Sequence, residues 1–244
     1  MFSQEEWLEV LAIIEDLTND GYTEDEATDE AVKIVLGKRE QKKKRSVPIA
    51  EYISVMNLSE EEEEDIKAKY QQMFDMMIFI FSVIQAQKIT GSLNYLTIAS
   101  TTVEEYQNIV GSDENLDRHI SYFADNLAET TIKNIDDPWY LSEDRAMFIA
   151  ENEAVSNYDY KKYIDAKLKG ATHKRWVAEI DKATRDTHKK ANGKVVPIDS
   201  LFRVGKAKMM FPKDDFTEES TGFEYPEEIV NCRCIVEYIG MNRK

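Results

Sequence analysis

The sequence predicts an α+β protein, a mainly helical N-terminal body carrying a small C-terminal α+β module. Three observations carry that reading. Up to about residue 170, apolar side chains recur at i, i+3/i+4 spacing behind residues suited to capping helices. After Gly170 the pattern changes to β-branched and aromatic runs punctuated by Asn192-Gly193, Pro212 and Pro226. With 244 residues, the chain is long enough for one large domain or two small ones with a real core.

Taken in order, Ser3 is placed to cap a helix with Trp7, Leu8, Leu11, Ile14 and Leu17 on one stripe. Thr23 and Glu26 form a capping-box pattern ahead of Ala27, Ala31, Ile34 and Val35, and Gly37 stops that helix. The two helices and the basic run 38–45 make up a helical hairpin and linker over residues 1–45. Pro48 suits the first turn of a short helix to Met56. Ser59 and Glu62 repeat the capping box, and the acidic run 60–65 complements the helix dipole. The helix that follows runs to about Ile89. Its middle (Met73, Phe74, Met76, Met77, Ile78, Phe79, Ile80, Phe81) is apolar nearly all round, which predicts the centre of a bundle or an oligomer interface. The apolar stretch 73–84 contains Asp75 and falls short of the roughly 20 residues a membrane span requires, so a buried helix is expected.

Thr102 and Glu105 read as the cap of a short helix ending near Gly111, and Ser112 as the start of a longer one with Leu116, Ile120, Phe123 and Leu127 on one stripe. Asp137-Pro138 breaks it. Ser142 starts a helix through Ala146, Ile149, Ala150, Val155 and Ile164, with Gly170 at its C-terminal cap. The helical body therefore spans 46–170 and the module 171–244. Within the module, residues 172–180, 195–197 and 232–239 read as strands.

A formal charge of −16 predicts a chain that, as a whole, bare DNA and anionic membranes repel, so no membrane partner is expected. The charge is uneven. Residues 160–194 hold 11 Lys/Arg against 4 Asp/Glu, which makes that stretch the candidate DNA contact. The N-terminus lacks the basic and apolar regions of a signal peptide. The two cysteines, Cys232 and Cys234, are too close in sequence for an unstrained disulfide, which suits a reducing compartment.

Those cysteines, on one face of a strand, offer two sulfurs to which His188 can add an imidazole, a zinc-like donor set with Asp181, His173 or water as the fourth ligand, which would make this a zinc-stabilised nucleic-acid-binding module. The alternative is that both cysteines are small apolar core residues. A cysteine–histidine nucleophile is a third reading, and a nuclease or transferase using His188 and Arg185 a fourth. No P-loop, G-x-G-x-x-G, H-E-x-x-H or G-x-S-x-G occurs in the chain, and no residue is assigned as catalytic. Asp181, Arg185 and His188 also read as a polar cluster fixing a corner, with Asp181–Arg185 as an i, i+4 helical ion pair.

The run Arg145-Ala146-x-x-Ile149-Ala150-x-x-Glu153 resembles the helix that precedes the C-terminal module in phage head morphogenesis proteins of the Mu F-like, or minor head protein, family. Lys174-x-Trp176, followed by Asp181, Thr184-Arg185 and His188, is similar to that family's next element. Asn192-Gly193, Pro212-x-Asp214 and the stretch from Pro226 to Asn231-Cys232-Arg233-Cys234 continue it in order, so the resemblance covers about 142–240. Asp186-Thr187-His188 departs from the family's Thr or Ser-x-His, and Glu153-Ala154 from a common Thr-Glu. The resemblance implies a non-enzymatic minor head protein of the virion, in the capsid interior or at the portal vertex, assembled in the host cytoplasm. It implies the portal protein and capsid or scaffold proteins as partners, and a part in DNA packaging or delivery. Its family-motif residues here are Trp176, Asp181, Arg185, His188, Asn231, Cys232, Arg233 and Cys234.

Overall fold

A computed structural model describes residues 4–19, 22–32, 48–56 and 58–240. The expected cap at Ser3, the side chains of Trp7 and Leu8, the positions Ile34, Val35 and Gly37, and the basic run 38–45 lie outside the described residues. The chain divides into two compact units, 1–46 and 47–244.

In the first unit, α1 (Gln4–Asn19) is followed by a second helix, α2, over 24–32. The capping box ahead of α2 is present: Glu26 accepts from the Thr23 amide, and Thr23 Oγ1 accepts from the Glu26 amide. Val10 and Ala31 are fully buried against Ile13, Ile14 and Val32. Leu11, expected on the buried stripe, is 57% exposed and Val10 takes its place. Neighbouring helical residues point about 100° apart, so that stripe is rotated by one residue.

The second unit opens with α3 (Ile49–Val55) and α4 (Glu60–Thr90). Ser59 and Glu62 close their capping box around the start of α4, and Gly91, at φ 67°, ends the helix in a left-handed turn that a side chain would strain. Then come α5 (Tyr95–Val110), α6 (Glu114–Lys133), a 3-10 turn Pro138–Leu141 and α7 (Glu143–Leu168). Two expected starts move. Asn94, not Thr102, caps α5, and Thr102 lies buried inside it with its hydroxyl on the Ile98 carbonyl. Asp113, not Ser112, caps α6. Helix α4 packs between α5 and α7, burying Met73, Met77, Ile80 and Ile84 with Ile98, Tyr106, Ile120, Leu127, Ala146 and Ala150. By length and composition alone α4 could cross a membrane, but its apolar stripe is spent in this core. Ile78 and Phe79 stay exposed. Arg145 is buried beneath α6, donating to Thr131 and to the Tyr140 carbonyl.

The module adds β1 (His173–Val177), α8 (Asp186–Ala191), β2 (Val195–Pro197), β3 (Phe202–Val204), β4 (Ala207–Met209), a 3-10 turn Gly222–Glu224, α9 (Pro226–Ile229) and β5 (Ile235–Ile239). The first sheet is antiparallel in the order β2-β1-β5, with His173 opposite both Pro197 and Ile239; β3 and β4 form a separate hairpin. Alternation along β1 turns Lys174 and Trp176 inward. Trp176 centres a second core with Phe202, Val204, Met209, Cys232 and Cys234. Lys174 is fully buried over the Tyr163 and Phe202 rings, and burial pushes its ammonium down to about 7. The loop after β4 sends Phe211 and Phe216 into the helical core. The chain is thus α+β: a long helical body followed by a small sheet region.

Candidate functional site

Three short elements converge beside Trp176. His188 lies on α8 and is 2% exposed. The segment after α9 supplies Cys232 and Cys234, which precede β5 rather than lie in it. Asn231 makes this possible. It turns the chain at φ 56°, a left-handed conformation that Asn tolerates better than most residues, and its amide is fixed by the Asn152 side chain on α7. The turn carries both sulfurs onto one ring atom: His188 Nδ1 is 3.2 Å from Cys234 Sγ and 3.5 Å from Cys232 Sγ. The three donor atoms all lie within 4.8 Å of one another, and all three residues are buried.

The other ring nitrogen is committed. His188 Nε2 is 3.1 Å from Glu228 Oε2 on α9, an oxygen that also accepts from Thr187 Oγ1 at 2.7 Å. Gly205, at the β3–β4 turn, closes over this pair. A Cβ at that position would stand 2.0 Å from Glu228 Oε1, and φ 58° already disfavours any side chain. Trp176 meets the imidazole edge to face, 6.0 Å between centroids.

The sulfurs are electrostatically unequal. Burial pushes the Cys232 thiol up, but hydrogen bonds with Cys234 and His188 and the charges of His188 and Lys213 outweigh it and hold Cys232 well below the usual thiol range. Cys234 is pushed far up by its bond to Cys232 and by burial. Burial depresses His188, yet its bond to Cys232 and that group's charge raise it above its ordinary value. Of the two sulfurs, Cys232 is the one whose surroundings favour the thiolate. A cavity of about 20 Å³, large enough for a water molecule, adjoins the cluster, lined by Thr184, Arg185, Asn231 and Arg233 among others.

The remaining expected residues build the frame. Asp181 does not pair with Arg185, because 181–184 is a bend and not a helix. Its carboxylate accepts from the Ala183 and Thr184 amides and meets Arg233 Nη2 at 2.6 Å, which holds it down to about 2 through the Arg233 and Thr184 bonds. Arg185 donates to the Val230 carbonyl, bracing the turn before Asn231. Arg233 bridges Asp181 to Glu51 of α3, the latter at 2.7 Å. His173 is exposed and bonds to Thr172; neither it nor Asp181 joins the donor cluster. Sequence reasoning missed the roles of Glu228 and Gly205. Glu228 stood inside the quoted Pro226–Cys234 stretch, but its four-residue helix shows no periodicity from which its direction could be read.

A second buried polar centre joins the body to the loop after β4. His119 of α6 lies 2.8 Å from Glu153 Oε2 of α7 and 2.9 Å from Asp215 Oδ1, stacked 3.9 Å from Phe216. Tyr106 donates to Glu153 and accepts from Asn157 at 2.7 Å.

Residues 125–237, which contain His188, Cys232, Cys234 and Glu228, match the family model described as Phage Mu protein F like protein. No curated protein and no solved structure matches the chain.

Proposed function

We propose that this chain, a member of the Phage Mu protein F like family through its C-terminal part, is a minor head protein that works by docking at the portal vertex during head assembly. The family is one of phage head morphogenesis, and the match over 125–237 is the observation that carries the reading. The use of the motif residues supports a binding role over catalysis. Arg185, Asp181 and Arg233 are consumed in bracing the cysteine turn, and both nitrogens of His188 face internal partners. A nuclease or transferase would need such groups free to meet substrate.

On this reading the portal protein, with capsid or scaffold proteins, docks on the acidic helical body, and DNA is met by the basic side of the module. Ion pairing narrows that side. Lys162, Lys167, Lys169 and Arg175 sit within 3.0 Å of carboxylates, and Lys174 is buried. The exposed cations of the module with no ion pair among the described residues are Lys182, Lys190 and Lys194, with Arg203, Lys206 and Lys208 on the β3–β4 hairpin. The protein would then be assembled into heads in the host cytoplasm and remain in the capsid interior or at the vertex, aiding packaging or delivery. Co-expression with the portal protein and affinity capture tests this. Retention of portal at physiological salt is expected, and its absence from the captured complex would overturn the portal assignment.

A further inference from the structure

We propose that His188, Cys232 and Cys234 bind a zinc ion whose fourth position opens onto the small cavity beside Thr184 and Arg185. The donor set is two thiol sulfurs and one imidazole, a combination that suits zinc among the common divalent ions. Geometry supports it. In tetrahedral zinc, with Zn–N of 2.0–2.1 Å and Zn–S of 2.3 Å, a nitrogen and a sulfur ligand stand about 3.6 Å apart. Here the separations are 3.2 and 3.5 Å, so an ion enters with side-chain shifts of a few tenths of an ångström.

The second observation is the partner of the ring. A ligating histidine usually donates its other N–H to a carboxylate, which fixes the tautomer and raises the basicity of the ligating nitrogen. Glu228 stands at that place, 3.1 Å from Nε2 and 7% exposed. It is held by Thr187 and capped by Gly205. With its Nε2–H committed to Glu228, the neutral ring would turn its Nδ1 lone pair toward the two sulfurs. Cysteines that only packed as apolar residues would give no reason for a buried carboxylate to orient the ring in this way.

The third observation is the coordination count. No fourth His, Cys, Asp or Glu joins the cluster among the described residues, while the adjoining cavity of about 20 Å³ accommodates a water. Binding releases to solvent the protons that the sulfurs and Nδ1 carry, and places both thiolates and the neutral imidazole on the metal. Because the ligands lie 44 and 46 residues apart, the ion would clip α8 to the segment before β5. The module's stability should then depend on the metal.

The test uses the full chain, purified without chelator, with zinc measured by elemental mass spectrometry. About one zinc per chain is expected, together with the thiolate-to-metal absorption of a tetrahedral site when Co²⁺ replaces it. Loss of metal in Cys232→Ser and Cys234→Ser supports the site; zinc retained by the double variant overturns it. Should those variants fail to fold, Glu228→Gln keeps all three ligands and is expected to weaken zinc about 10–100-fold. Chelator added to the wild-type chain should lower its melting temperature, with recovery on adding Zn²⁺ but not Mg²⁺. A folded wild-type chain that holds no zinc, shows no cobalt absorption and melts unchanged in chelator overturns the proposal. Portal capture is scored separately, so either result leaves the docking reading independently testable.

Discussion

His119 is a buried side chain held between two carboxylates. Burial alone would strip its proton, but Asp215 and Glu153 on either side outweigh burial and push the imidazole up to about 10. Burial raises Glu153, and the charge of and hydrogen bonds from His119 bring it below its ordinary value. The consequence for stability has a definite sign. A histidine whose folded value lies above its ordinary 6.5 contributes fully below that pH and loses the contribution as pH rises toward about 10. Glu153 contributes above its ordinary 4.5 and loses it as pH falls. Unfolding free energy should therefore be greatest between those two values and decline on both sides. His119→Ala leaves two carboxylates facing a buried void and should cost on the order of 3–5 kcal/mol, with the alkaline decline removed. Urea unfolding at several pH values measures both. A variant as stable as the wild type, or an unchanged alkaline limb, would refute the assignment. Sequence reading could not find this site, because its residues come from α6, α7 and the loop after β4, and only Glu153 stood in a quoted motif.

At the scale of elements, the sequence was most legible where a cap and its reciprocal partner are local. Thr23 with Glu26 and Ser59 with Glu62 both form the boxes that their spacing announces. The same spacing at Thr102 and Glu105 misled, because a threonine inside a helix can satisfy its hydroxyl on the carbonyl four residues back, as Thr102 does on Ile98 at 2.8 Å. The cysteine pair was legible as a motif but not as an element. Alternation placed it in a strand, whereas the left-handed Asn231 turn brings the two sulfurs together ahead of β5. The β3–β4 hairpin carries a further oddity. Arg203 and Lys208 are directly opposed across the ladder and both exposed, with Lys206 in the connecting turn. Like charges facing one another destabilise an antiparallel pair, a cost that an anionic partner would offset. If this hairpin meets DNA, exchanging Arg203, Lys206 and Lys208 for Glu should abolish most duplex affinity. It should also flatten its salt dependence, since each lost phosphate contact removes about 0.9 from the slope of log K against log salt. Equal binding isotherms for the two proteins at low and high salt would dismiss the hairpin as the contact.

For the molecule as a whole, the decisive feature is that the C-terminal module does not keep its apolar residues to itself. The loop after β4 is shaped by Asp214, which accepts from the Met210, Phe216 and Thr217 amides, and whose own carboxyl burial pushes up to about 6. That turn delivers Phe211 and Phe216, both fully buried, onto Tyr160 and Tyr163 of α7 and onto His119 of α6. Arg118 of α6 fastens the Phe216 carbonyl at 3.1 Å. The sequence marked Pro212-x-Asp214 as a turn, but the surface receiving it lies about a hundred residues upstream in part, beyond any local pattern. Removing a buried phenylalanine side chain costs roughly 3–5 kcal/mol, and a domain's whole stability is about 5–15 kcal/mol. A fragment of residues 171–240 loses the partners of two such rings at once, together with the Asn152 contact that fixes Asn231. It should therefore show no cooperative unfolding by circular dichroism, with or without added zinc, whereas residues 47–240 should unfold in one sharp transition. Cooperative melting of the short fragment would mean that the module's own core around Trp176 is sufficient and that the two phenylalanines serve only to dock it.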